Sequence, residues 1–192
     1  MIKLYAVSGI LRKDENAPIA DERAVYMALA IDEARVAGEA GDVPIGAVIV
    51  RDGEVVGRGS NRTERDGDPT MHAEMAAIRD AAAALGTPRL VGCEMYVTVE
   101  PCAMCAGACV LARLDAVIAG TDSPKSGAAG SVKDILTSGD LNHSLRYEVG
   151  VMKDECAGLM SGFFARLRER DRTVRDSGID NNGAVNESDN RQ

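Results

Sequence analysis

The chain has 192 residues, of which 45% are hydrophobic and 27% charged, so it can bury one substantial core and fits one domain better than two. Its formal net charge of −8 excludes a global attraction to nucleic acid, and any such partner would need a local basic patch. No apolar run reaches about 18 residues, and the N-terminal apolar stretch is short. We therefore expect no membrane span, no signal peptide and a cytoplasmic location.

The predicted elements alternate between strands and helices, which indicates a three-layer α/β/α sandwich. Apolar periodicity predicts the helices, and Asp52-Gly53 is a strong hairpin signal. In chain order the predictions are a helix at 21–38, a hairpin at 43–59, a helix at 68–86, a strand at 93–100, a helix at 101–114, strands at 115–120 and 145–151, and a final helix at 153–172.

Capping residues and composition set the predicted boundaries. Asp68 or Thr70 is expected to cap the helix at 68–86, and Pro101 to occupy the first position of the next helix, where a missing N–H costs least. Residues 173–192 have no hydrophobic period and few apolar groups, so we predict a disordered tail. Residues 1–20 are treated as an N-terminal extension of a domain at 21–172.

Cys102 and Cys105 stand three residues apart near the start of a predicted helix. Both sulfurs can point to one side of the first turn, where the helix dipole favours thiolates. The chain has five cysteines, and in a reducing compartment such a pair is either a redox dithiol, half of a zinc site or two buried thiols.

His72 and Glu74 open the preceding helix. The chain has only two histidines, and alone His72 would be an ordinary helix-start residue and Glu74 a solvated first-turn acid. With the two cysteines, however, His72 gives zinc three protein ligands and leaves the fourth position for water, as in catalytic sites. Glu74 is then placed to move protons. This H-x-E and P-C-x-x-C pattern is the signature of zinc nucleobase deaminases.

The sequence resembles the bacterial tRNA-specific adenosine deaminases over about residues 24–170. The zinc motif alone would equally fit cytidine, cytosine, guanine or riboflavin-pathway deaminases. The longer match is far more specific, and its segments are DVPIGAVIV, GSNR, DPTMHAEM, RLVGCEMYVTVEPCAMCAGA, PKSGAAGS, LNH and GVMKDEC.

The resemblance implies a fold of the cytidine deaminase type with a mixed five-stranded sheet, and one Zn²⁺ per subunit on His72, Cys102 and Cys105. It also implies that Glu74 shuttles protons while wobble adenosine in a tRNA anticodon stem-loop is converted to inosine. The helix at 101–114 is apolar on most sides, and the resemblance implies that a second subunit of a homodimer covers it; the final helix of the same chain is the alternative.

By the same resemblance, five residues contact the substrate. Asn61 would hydrogen-bond the base, and the alternative is an ordinary turn residue. Ile45 would form one wall of the base pocket, and the alternative is an ordinary core residue of a strand. Lys125 and Asn142 match RNA-side loop positions, where a solvated lysine and a turn asparagine are equally ordinary. Phe164 would reach the RNA while its neighbour Phe163 is core. His143 is expected to be structural or RNA-facing, not a metal ligand.

The chain also departs from the family pattern. Ser123 stands where an aspartate is usual, and Met71 where a small residue is usual. Against the acidic net charge, we expect the basic residues to cluster near the RNA; they are Arg62, Arg65, Lys125, Arg146 and the arginines of 166–170.

Two other functions remain open from sequence: a free nucleobase or nucleoside deaminase, such as a guanine deaminase, and a zinc-stabilised RNA-binding subunit.

Overall fold

The computed structural model describes residues 22–176, so the extension at 1–20 and the tail from 177 onward lie outside the described residues. The elements, in chain order, are α1 (Glu22–Glu39), β1 (Gly46–Arg51), β2 (Glu54–Ser60), α2 (Thr63–Asp66), α3 (Ala73–Leu85), β3 (Cys93–Val99), α4 (Ala103–Ala112), β4 (Ala116–Thr121), β5 (Arg146–Val149) and α5 (Lys153–Asp176).

Within the described residues, the strands form one mixed five-stranded sheet in the order β2-β1-β3-β4-β5. β1 pairs antiparallel with both β2 and β3, whereas β3, β4 and β5 run parallel. The predicted mixed five-stranded sheet is confirmed. Because three parallel strands end at the same edge, the segments that follow β3 and β4 are brought together there.

Alternating side chains of the strands build two cores, one on each face of the sheet. On β1, Ala47 and Ile49 face a core shared with α3 and α4, while Val48 and Val50 face a core shared with α1 and α5. Helices therefore cover both faces, and the predicted three-layer sandwich is confirmed. The two zinc-motif helices lie in the same layer.

α3 approaches the sheet unusually closely at Gly59 of β2. A β-carbon at this position would overlap the backbone of Ala73 and Ala77 and the side chain of Ala76. The small residues of α3 and the glycine of β2 therefore let the helix lie directly on the strand. This contact fixes the start of α3, where the predicted metal ligand His72 is found.

Two predicted helix starts are wrong in detail. α3 is capped by His72 and not by Asp68 or Thr70, because the Asp68 carboxylate accepts the Thr70 N–H at 2.8 Å and closes a separate turn before the helix. Pro101 precedes the cap of α4, which is Cys102.

The short helix α2 was not predicted, since its four residues carry no apolar period. α5 continues to Asp176, so the first residues of the predicted disordered tail are helical. Within residues 22–176, no helix is long and apolar enough to cross a membrane.

Candidate active site

His72 and Cys102 are the N-cap residues of the neighbouring helices α3 and α4. Both have extended backbones, and neither side chain makes a capping hydrogen bond to its own helix. The imidazole and the thiol are therefore free to turn toward each other. Cys105, in the first turn of α4, is fully buried and adds a second sulfur to the same point.

The three side chains form a group that fits a zinc ion. Their ligand atoms lie within 4.8 Å of one another. Nδ1 of His72 is 3.6 Å from Sγ of Cys102 and 3.5 Å from Sγ of Cys105. Zinc bonds of about 2.0 Å to nitrogen and about 2.3 Å to sulfur, at a tetrahedral angle, place N and S about 3.5 Å apart. The donor set and its spacing therefore match one tetrahedral zinc site.

The two thiols of the ligand group differ in their pKa shifts. Hydrogen bonding from Cys105 and from His72 lowers the pKa of Cys102 to about 3, so this thiol is a thiolate at neutral pH. The hydrogen bond to Cys102 in turn raises the pKa of His72. The hydrogen bond to Cys102 and burial raise the pKa of Cys105, so this second thiol would release its proton when zinc binds.

Glu74 lies in the first turn of α3 and is only 3% exposed. Its atom Oε2 is buried and has no hydrogen-bond partner among the described residues. Burial raises the pKa of this carboxyl group. A buried acid with an open oxygen and a raised pKa has the properties of a general acid and base.

Asn61 and Ile45 lie side by side on the approach to His72. The Asn61 N–H donates to the Ile45 carbonyl at 2.9 Å, and the next residue, Arg62, donates its N–H to the carbonyl of Met71 at 2.9 Å. Asn61 is nearly buried, whereas Ile45 is only partly buried. The structure therefore brings both predicted base-pocket residues close to the start of α3.

Lys125 is exposed in the loop that follows β4, at the edge of the sheet where Cys102 lies. Backbone residues of this loop bridge to the ligand segment, since Cys102 pairs with Gly127. The structure therefore places Lys125 on a loop attached to the metal-ligand segment.

Asn142 lies elsewhere. Its carbonyl accepts a hydrogen bond from Arg113 at 2.9 Å, and Arg113 caps the far end of the ten-residue helix α4. Such a helix is about 15 Å long, so Asn142 is not close to Cys102 of its own chain. The next residue, His143, contacts the Leu114 carbonyl at 2.7 Å, which agrees with a structural role.

Phe164 belongs to α5, in the layer opposite to α3 and α4. It is 41% exposed and packs edge to face on Phe163, with ring centroids 5.5 Å apart. Phe163 is buried, as predicted. The structure leaves Phe164 accessible but does not bring it to the metal ligands.

Arg146 does not belong to a basic surface near the site, and this part of the charge prediction is wrong. It pairs with Glu94 at 2.6 Å and with Glu148 at 3.4 Å. Glu94 is at the start of β3, so the pair is at the opposite end of the strand from Cys102. The sequence indicates that Arg146 is in a strand, but it does not indicate at which end of the sheet that residue lies.

Other expected basic residues are already paired with acids. Arg62 pairs with Asp66 at 2.9 Å, and Arg65 with the buried Asp42 at 3.5 Å.

The unusual Met71 places its sulfur 2.6 Å from a guanidinium nitrogen of Arg79, which is exposed on α3. Its long side chain is therefore accommodated along the outside of α3.

Sequence reasoning gave no role to Glu100, which follows β3 directly. It is 4% exposed and accepts hydrogen bonds from the loop that carries Lys125. The available signal was an acidic residue at the end of an apolar strand, immediately before Pro101 and the ligand Cys102. A charge in that position must be satisfied by nearby donors when buried.

Comparisons with known proteins agree with this site. Residues 20–121 match the cytidine and deoxycytidylate deaminase zinc-binding region. Fold and site together define a zinc-binding deaminase domain.

A tRNA-specific adenosine deaminase of Bacillus subtilis is 45% identical over 151 residues, covering 79% of this chain and 94% of that protein. A solved structure from a study of A-to-I editing by tRNA:A34 deaminases at the wobble position is 44% identical, with a TM-score of 0.68, and covers 70% of this chain and 98% of that one. The chain belongs to the cytidine and deoxycytidylate deaminase family and, within it, to the tRNA-specific adenosine deaminases.

A guanine deaminase from Nitrosomonas europaea has the same fold, with a TM-score of 0.66 over 76% of this chain and 85% of that one. At 22% identity, this likeness concerns the fold alone. Several kinds of deaminase share this fold, which is why the zinc motif alone did not indicate which kind of deaminase the chain is.

Proposed function

We propose that the protein hydrolytically deaminates adenosine to inosine at the wobble position of a tRNA anticodon. The observation that carries this proposal is the His72, Cys102 and Cys105 group beside the buried Glu74, in a chain 45% identical to a tRNA-specific adenosine deaminase. Such a substrate agrees with the expected cytoplasmic location.

His72, Cys102 and Cys105 would hold the metal, one zinc ion per subunit. When bound, zinc supplies Lewis acidity, which lowers the pKa of a coordinated water from 15.7 to about 7. The geometry favours these three ligands because Nδ1 of His72 already lies at the distance from each sulfur that tetrahedral zinc requires.

Glu74 would be the proton carrier. It takes one proton from the attacking water and delivers it to N1 of adenine. It then takes the remaining proton from the hydroxyl group added at C6 and passes it to the amine as the C6–N bond breaks, so that water and adenosine give inosine and ammonia. The open Oε2 atom supports this role. So does the burial that raises the pKa of this carboxyl group, because a carboxylate that is protonated more readily is a better proton acceptor.

Asn61 and Ile45 would form the base pocket. Asn61 offers an amide that can hydrogen-bond the polar edge of a flipped adenine, and its backbone is tied to Ile45. Ile45 is partly buried and offers an apolar wall. A loop adenine is already unpaired, so placing it in such a pocket costs at most a few kcal/mol.

The surrounding RNA would contact the exposed Lys125 and Phe164, which offer a cation for phosphate and a ring for stacking. Ser123 cannot supply the carboxylate that is usual at its position. Its hydroxyl instead lies 3.0 Å from that of Ser126 within the loop.

We further propose a homodimer that covers α4. Ala106, Val110 and Leu114 are buried within the chain, but Leu111 is 79% exposed and Ala108 is half-buried on the same helix. α5 packs on the other face of the sheet, so it does not cover this surface. A second copy would cover the apolar surface. Asn142, far from its own Cys102, would then require that copy to take part in RNA binding.

A substrate panel tests the function. Purified zinc-loaded protein is incubated separately with tRNA, adenosine, guanine and cytosine, and released ammonia is measured. We expect ammonia to be released from tRNA and not from adenosine, guanine or cytosine. Release from guanine would favour the free-base alternative, and tRNA binding without ammonia release would favour an RNA-binding subunit.

A further inference from the structure

Glu100 is saturated with hydrogen bonds from a single loop, residues 122–131, which we call the Lys125 loop. Its Oε1 accepts the N–H groups of Ala129 at 2.9 Å and Ser131 at 3.1 Å. Its Oε2 accepts the N–H of Ser123 at 2.9 Å and the hydroxyl of Ser131. Both carboxylate oxygens are therefore committed to the two ends of the loop.

The loop also packs directly on this carboxylate. A β-carbon on Gly127 would overlap the carboxyl group of Glu100, so only glycine allows the loop to approach so closely. Next to it, the Ala128 N–H donates to the Pro101 carbonyl at 2.8 Å. The loop is thereby attached along the segment that leads to Cys102.

Lys125 stands at the tip of a turn whose base is held by these contacts. The Gly127 N–H donates to the Ser123 carbonyl at 2.8 Å, which closes the turn around Lys125. Since the Ser123 N–H donates to Glu100, the position of the exposed lysine depends on the buried carboxylate.

Glu100 differs from Glu74 in the property that proton transfer needs. Glu74 has an open oxygen, whereas both oxygens of Glu100 are occupied by donors of the loop. The zinc ligands, in contrast, are held by the starts of α3 and α4. Loss of the Glu100 contacts should therefore release the loop and leave the ligand group in place.

We propose that Glu100 is a positioning residue that fixes the Lys125 loop for binding of the RNA substrate. The inference rests on the proposed function, because it assigns this loop to the RNA side of the same site. In Glu100→Gln, one oxygen becomes an NH₂ group that cannot accept a hydrogen bond, so the backbone N–H contacts of that oxygen are lost. The substitution keeps the shape of the side chain.

The test compares Glu100→Gln with Glu94→Gln, a matched change of a partly buried glutamate at the opposite end of β3. We expect Glu100→Gln to raise the tRNA Kd and the KM about tenfold or more, with kcat within about threefold and zinc content equal to the parent. Hydrogen exchange at the amides of Ser123, Ala129 and Ser131 should become faster. Glu94→Gln should change none of these quantities.

Two other variants decide the matter if Glu100→Gln does not fold. Ser131→Ala removes one donor, and Gly127→Ala pushes the loop off the carboxylate; both should weaken tRNA binding while zinc is retained. Unchanged tRNA binding in these variants, or loss of kcat or zinc without a change in Kd, would overturn the role of Glu100. A parent protein that binds no tRNA would overturn the proposed function, while the exchange measurement, made without RNA, reports separately on the loop.

Discussion

His72 and Cys102 occupy equivalent positions, each as the N-cap of its helix, and Nδ1 of the first lies 3.6 Å from Sγ of the second. Two neighbouring helices in the same layer of the sandwich therefore present their first side chains to one point. Because neither residue caps its helix with its side chain, both keep their lone pairs for a metal.

The first prediction concerns zinc. Purified protein should hold one zinc per chain, and the double variant Cys102→Ser plus Cys105→Ser should lose it, because only His72 of the ligand group remains. Elemental analysis measures the ratio. Cys156→Ala, a buried thiol in the other core, serves as the control and should keep its zinc. Full zinc retention in the double variant would rule out this ligand set.

The second prediction separates metal binding from proton transfer. Glu74→Ala should keep a normal zinc content, while deamination falls by about 10²–10⁴, the usual contribution of a general acid and base. Glu64→Ala, an exposed acid on α2, should have parent activity. If Glu74→Ala stays within about tenfold of the parent, the carboxylate is not the proton carrier.

Much of the fold could be predicted because the apolar periods are clear and glycines mark several ends. The zinc group could be predicted because its residue types and spacing are specific to one chemistry. Features that depend on contacts between residues far apart in the sequence could not be predicted. The cap of α3 was misplaced because Asp68 closes its own turn, and Arg146 was placed near the site although its partner Glu94 is at the opposite end of β3.

The residues expected to contact RNA show the same limit. Asn61 and Ile45 are joined by a hydrogen bond between a loop and the segment before β1, which no local pattern encodes. Asn142 lies beside Arg113 at the far end of α4, so its location depends on how the chain returns after β4. The role of Glu100 depends on donors 23 to 31 residues away in sequence.

The third prediction concerns the contact of β2 with α3. Gly59→Ala should lower the free energy of unfolding by roughly 1–3 kcal/mol, because the new methyl group overlaps the backbone of the helix. Urea denaturation measures the change. In Gly158→Ala the new methyl group meets no described atom within 4 Å, so this helical control should be neutral or stabilised by up to about 1 kcal/mol. Equal stability of Gly59→Ala and the parent would contradict the close packing.

The fourth prediction concerns assembly. Light scattering at micromolar concentration should give twice the chain mass of 20.2 kDa, and Ala108→Glu should give a monomer with reduced tRNA deamination, because a charge is placed in an apolar interface. Ala84→Glu, on the exposed side of α3, should remain a dimer. A parent monomer that deaminates tRNA at full rate would exclude the dimer as the active form.

The central claim is tested most directly by sequencing total tRNA before and after incubation with the zinc-loaded protein, using Glu74→Ala as the comparison. Inosine is read as guanosine, so we expect A-to-G changes at the wobble position of an anticodon with the parent protein, and changes at least about 10²-fold slower with Glu74→Ala. Unchanged sequences with fully zinc-loaded parent protein, or changes spread over adenosines outside the anticodon, would contradict it.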